Sequence, residues 1–84
     1  MNLHVPIENA PSKGRHLRLN AADNVVVAVD PIAIGTVVEG VTAQARIPRG
    51  HKMAMVKLAK GQPVIKFGQI IGFAHADIAP GEHI

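Results

Sequence analysis

Five histidines, His4, His16, His51, His75 and His83, carry the side chains of this sequence best suited to moving protons near neutral pH. Two of them keep chemically useful company. His51 follows Pro48-Arg49-Gly50 and precedes Lys52, so an imidazole and an ammonium sit together after a glycine turn, a usual place for groups that meet a substrate. That pairing suits proton transfer or the binding of a carboxylate, and it is equally what a solvated turn would show. His83 follows Glu82 in the last glycine turn, and a carboxylate beside an imidazole offers hard and borderline metal ligands. Neighbours on a strand face opposite ways, which counts against both binding one ion. Asp23 and Asn24 precede an apolar run and most simply make a turn, because both side chains bond to nearby backbone. His16 and His75 read as strand edges, and His4 belongs to an N-terminal arm.

The elements that must hold these groups are announced by a recurring turn. An aliphatic residue is followed three positions later by glycine and, three later again, by an apolar residue: Ile32-Gly35-Val38, Ile47-Gly50-Met53, Leu58-Gly61-Val64 and Ile78-Gly81-Ile84. Each reads as an anchor, a tight turn whose glycine takes positive φ, and re-entry into extended chain. The intervals are uneven, so this is not a solenoid repeat. Between the turns lie short apolar stretches. Leu17 and Leu19 alternate with polar neighbours, and Val25–Val29 is a β-branched run ended by Asp30-Pro31. Val37, Val41, Ala43, Ala45 and Ile47 share one parity, interrupted at Glu39-Gly40, which predicts a hairpin. Lys52–Leu58 mixes helix formers with flanking glycine turns and is assigned as a strand. Val64–Phe67 and Gln69–Ala74 complete the set, with Gly68 between them and Gly72 where backbone must bend or approach closely. The expected fold is an all-β domain over residues 15–84, preceded by an extended or flexible arm over residues 1–14.

Composition narrows the function. Eighty-four residues make one domain with a thin core, which is not the usual size of a self-sufficient enzyme. The absence of cysteine removes disulfides, thiolate metal sites and cysteine nucleophiles, and fits a cytoplasmic protein. No secretory signal opens the chain, and no apolar run approaches membrane-spanning length. A net charge of +3 favours anions in general. Phe67 and Phe73 are the only aromatic rings besides the imidazoles, so the stacking platform of single-strand nucleic-acid binders is missing. Lys57, Lys60 and Lys66 read as solvated, and Met53 and Met55 as core filler or a subunit contact.

Taken in order, Asp23-Asn-Val-Val-Val-Ala28, Ile47-Pro-Arg-Gly-His-Lys52, Val64-Ile-Lys-Phe-Gly-Gln-Ile-Ile-Gly-Phe-Ala74 and Asp77-Ile-Ala-Pro-Gly-Glu-His83 resemble the SAF domain of the altronate and galactarate dehydratase family. The resemblance implies a β-clip fold and the role of small subunit or N-terminal domain of a metal-dependent sugar-acid dehydratase, a hydro-lyase inactive without its large catalytic subunit or domain. It implies an anionic sugar-acid substrate, with Fe2+ or Mn2+ in the full enzyme, and neither nucleic acid nor membrane as partner. Carried onto this sequence, it makes His51 the catalytic candidate, Lys52, Asp23 and Asn24 substrate-binding candidates, and His83 and Glu82 metal candidates. Two alternatives stay open: a non-catalytic SAF-type module that binds carbohydrate or protein, and the small subunit of a sulfolactate sulfo-lyase. The sequence departs from the family pattern at Asn20, where similar proteins often have histidine. The pattern also runs on beyond Gly-Glu-His into a His-x-His-Asn tail, so a site using those histidines would extend past Ile84.

Overall fold

A computed structural model describes residues 15–84; the arm expected over 1–14, with His4, lies outside the described residues. The described chain is all β, with seven short strands and no helix: β1 His16–Leu17, β2 Val25–Ala28, β3 Val37–Val38, β4 Val41–Thr42, β5 Lys52–Ala54, β6 Pro63–Lys66 and β7 Gln69–Phe73. β2 is central to an antiparallel sheet ordered β1-β2-β5, while β3-β4 and β6-β7 form separate hairpins.

The four glycine turns do more than reverse the chain. In each, the residue after glycine donates its N–H to the carbonyl two residues before the glycine, closing the turn: Thr36 to Ala33, His51 to Pro48, Gln62 to Ala59 and Glu82 to Ala79. The glycines stand at φ between 79° and 90°, the geometry that a type II turn demands of its third residue. Each turn is then clipped to one alanine elsewhere. Gly35, Gly50, Gly61 and Gly81 donate to the carbonyls of Ala43, Ala28, Ala74 and Ala54, and those same alanines donate back to Thr36, His51, Gln62 and Glu82. All four alanines are buried, so a small side chain stands wherever a turn closes on the sheet. The aliphatic anchors pair likewise, Ile32 with Ile47 and Leu58 with Ile78.

The core is two adjoining clusters. One gathers Val26, Ile32, Val38, Ile47, Met53 and Met55; the other gathers Val25, Leu58, Val64 and Ala74. Because β2 sends Val25 and Val26 into different clusters, its apolar run does not alternate with polar residues. Both methionines therefore serve as core filler.

The hairpins refine the expectations from parity. Glu39-Gly40 and Phe67-Gly68 are two-residue loops in which both positions have positive φ, the type I′ geometry that matches strand twist. Such a loop places the residues flanking it opposite each other, so Val38 joins Val41 toward the core and Val37 is left exposed. Parity counted straight through the loop had grouped Val37 with the inward residues. The strand expected over Lys52–Leu58 ends at Ala54: the Met55 N–H still bonds in register to the Asn24 carbonyl, but there the ladder stops, because the Asn24 N–H turns to Ile65, the chain bends at Met55 and Val56, and Leu58 bridges to Ile78. Near Gly72 the register shifts by one residue, a bulge that leaves Ile71 extra. No atom crowds Gly72, so it marks a bend and not a close approach.

Candidate functional site

Clipping brings together two histidines that the sequence keeps far apart. His51 closes the turn on Pro48 while its carbonyl accepts the Ala28 N–H, which fixes its backbone against β2. His83 follows the turn clipped to Ala54 and bridges to Met53 on β5. Their rings meet at the surface, with His51 Nδ1 2.8 Å from His83 Nε2 and ring centroids 5.0 Å apart. One ring donates and the other accepts, leaving His51 Nε2 and His83 Nδ1 for other partners. Both residues are exposed, so a substrate can reach them. Lys52 and Arg49 flank His51 in sequence and give that turn its positive charge.

Glu82 does not join His83. Its Oε1 accepts the Ala79 N–H at 2.8 Å, capping its own turn, and it lines a hollow with Lys57 and Asp77. His83 lines a different hollow of about 200 Å³, together with Val64, Phe73, Ala74, His75 and Ile78. No group of three or more histidine or acidic side chains among the described residues is placed to hold a metal ion. Two imidazole nitrogens turned toward each other in a hydrogen bond do not form such a donor set. The described residues therefore do not fit a resident metal.

Asp23 and Asn24 are placed as fold clamps. Asp23 is buried; its Oδ1 accepts the Gly68 N–H at 2.7 Å and its Oδ2 accepts those of Leu19 and Asn20, both at 3.3 Å. Burial raises the pKa of this carboxyl, but the amides of Gly68, Phe67, Asn20 and Leu19 together outweigh it and leave the value below the ordinary one. Asn24 bridges β2 to β6, accepting from Ile65 N–H at 2.8 Å and donating to the Pro63 carbonyl at 3.0 Å. The polar atoms of both side chains, expected to meet substrate, are thus engaged with backbone. Asn20 lies over Gly68, where an added Cβ would come within 2.9 Å of its amide nitrogen.

Sequence reasoning passed over two groupings. His75 shares the hollow with His83, which its place just after the clipped Ala74 could have signalled. His16 Nε2 lies 2.7 Å from Glu39 Oε2, and Arg18 donates to Glu39 Oε1 at 3.0 Å, tying the β3-β4 loop to β1. The His16 and Arg18 contacts hold the Glu39 carboxyl below its usual pKa. No local signal in the sequence announces that contact, because it joins residues on separate elements.

Fold and site together define a small β domain that presents a hydrogen-bonded histidine pair from two clipped turns. The chain belongs to the altronate/galactarate dehydratase SAF domain family, whose sequence pattern matches residues 14–84. It is 45% identical over 74 residues to an altronate dehydratase of Escherichia coli strain K12, covering 83% of this chain and 15% of that protein. It is 35% identical over 72 residues to an altronate dehydratase of Bacillus subtilis strain 168, covering 81% of this chain and 14% of that protein. The chain thus spans only a small fraction of the relatives it matches, corresponding to their N-terminal region.

Proposed function

We propose that this domain is the small, substrate-orienting part of a sugar-acid hydro-lyase, and that the His51–His83 pair is its contribution to the active site. The observation that carries the reading is the 2.8 Å contact between two histidines from distant turns, each within a segment shared with the dehydratase family. Both relatives are altronate dehydratases by name, so altronate or a similar aldonate or aldarate is the proposed substrate.

Dehydration of such an acid removes a proton α to the carboxylate and protonates the departing hydroxyl. A histidine pair suits this because a proton gained at the outer nitrogen of one ring can be balanced across the shared hydrogen bond by the other. The pair can therefore take a proton at one outer nitrogen and return one from the other without a residue outside the pair. Lys52 and Arg49 attract the substrate carboxylate to the same turn. Asp23 and Asn24 act through the fold by holding the β6-β7 hairpin in place. A divalent ion in the complete enzyme would take its ligands chiefly from the larger part, because the described residues of this chain assemble no donor set of three.

The test joins this chain to the Escherichia coli relative in place of that enzyme's matching N-terminal region and assays the dehydration of altronate. His51→Ala and His83→Ala should each lower kcat by about 10²-fold or more, the range for loss of a proton-transfer group. Unchanged turnover in both variants would sink the catalytic role of the pair.

A further inference from the structure

The structure leaves one strand apolar on both faces. In β7, Ile70 is 59%, Ile71 45% and Phe73 64% exposed, and Phe67 in the adjoining loop is 36% exposed. Side chains alternate along a strand, and the bulge at Ile71 adds one more outward residue, so beyond Gln69 both faces of β7 carry apolar side chains. Among the described residues β7 is also an open edge: its sheet has two strands, and the other side of β6 is covered by Asn24. A free apolar edge of this kind is a site for pairing with another polypeptide, and an isolated domain ordinarily blunts it.

We infer that β7 is the docking surface for the larger catalytic part of the dehydratase, an inference that rests on the function proposed above. Two observations choose this occupant. This chain covers only 15% and 14% of the two relatives, so in a protein of that kind a large polypeptide lies outside the domain and is available to cover it. The apolar face is also continuous with the candidate site, because Phe73 and His83 line the same hollow of about 200 Å³. A polypeptide seated on Phe73 would wall that hollow and bring new groups next to the histidine pair. A second copy of this chain would bring only the same residues. Docking on β7 therefore both covers the apolar strand and completes the site.

The experiment uses the 84-residue chain alone and the same chain joined to the Escherichia coli relative in place of its matching N-terminal region. Hydrogen exchange of the peptide over residues 69–75 should slow at least tenfold in the joined protein, while the peptide around Ile34, itself 68% exposed, should not change. The double variant Ile70→Asp/Phe73→Asp should lose that protection and most of the altronate dehydration, and Ile34→Asp should lose neither. All of these changes are at exposed positions, and circular dichroism of the free variants checks that they fold. An active joined protein with unprotected β7, or full activity in the double variant, overturns the docking surface and leaves the partner reading standing. An inactive joined protein overturns the partner reading and this inference together. If the free chain sediments as a dimer that the double variant dissociates, β7 is a self-association surface and the inference is wrong.

Discussion

The two turns that carry the histidines share a backbone design and differ in their surroundings. Around Gly50 no atom lies within 4 Å of where a Cβ would stand, so the turn over 48–51 is open to solvent. Around Gly81 a Cβ would drive into the Thr42 carbonyl oxygen, and the Gly81 carbonyl accepts the Gln44 N–H at 2.8 Å. One turn is clipped only to Ala28, while the other is wedged between β4 and β5. The contrast teaches that the pair stands on unequal supports. The turn before His83 sits as if in a socket, while the turn that ends at His51 is held to the sheet on one side only.

The strongest way to break that comparison is to add one methyl group to each turn. Gly81→Ala combines a strained positive φ with a collision against backbone, and should destabilise the domain by about 3 kcal/mol or more. It should also abolish the His51–His83 contact, seen as loss of the coupled imidazole shifts in NMR. Equal tolerance of Gly81→Ala and Gly50→Ala in thermal melts would show the socket to be unreal.

Acid should act next most strongly, and through the fold more than through the pair. The carboxyls of Asp23, Asp30 and Glu39 all lie below their ordinary pKa values, Asp30 chiefly through its hydrogen bond with the Arg15 guanidinium. A depressed folded value means that the unfolded chain binds more protons, so stability rises with pH. The contribution is fully present above the unfolded carboxyl range of about 4 and is lost as pH falls through the lower folded values. Tm should therefore be flat from neutrality to about pH 5 and drop below it, with a shallower acid limb in Asp23→Asn and a lower plateau. An unchanged plateau in that variant would remove Asp23 from its clamping role.

Gly50→Ala should cost about 1 kcal/mol, the backbone strain alone, and leave the histidine contact intact. Gln44→Ala should change stability by less than about 0.5 kcal/mol, since its side chain makes one exposed hydrogen bond to Thr42. It should also fail to rescue Gly81→Ala, because the obstacle is a carbonyl of the main chain. Rescue would move the wedge from backbone to side chain.

These contrasts also mark where the sequence was legible. The turns could be read because a type II turn is a local device whose glycine and proline preferences lie within four residues, as at Ala79-Pro80-Gly81-Glu82. The β2 run and the Glu39-Gly40 hairpin were legible for the same reason. Local reading failed where a partner elsewhere decides: β5 stops at Ala54 because its partner strand leaves the ladder at Asn24, whose N–H goes to Ile65, and Val38 faces inward because the loop resets parity. In the candidate site, His51 and His83 stood out by their company, but their meeting depends on clips to Ala28 and Ala54, which no spacing reveals. Asp23 and Asn24 were visible as turn formers, while their reach to Gly68 and Ile65 was not.

The clips have a consequence for how the molecule opens. In most β proteins the slowest amides to exchange lie in long central strands, and turns exchange first through local fraying. Among the described residues no strand exceeds five residues, and each glycine–alanine pair locks a corner to another segment. Freeing one corner means undoing the neighbouring segment that carries the next. Solvent should therefore reach the amide of Gly81, which is buried and wedged, only when the whole domain comes apart, so that this corner, and not a strand, records its global stability.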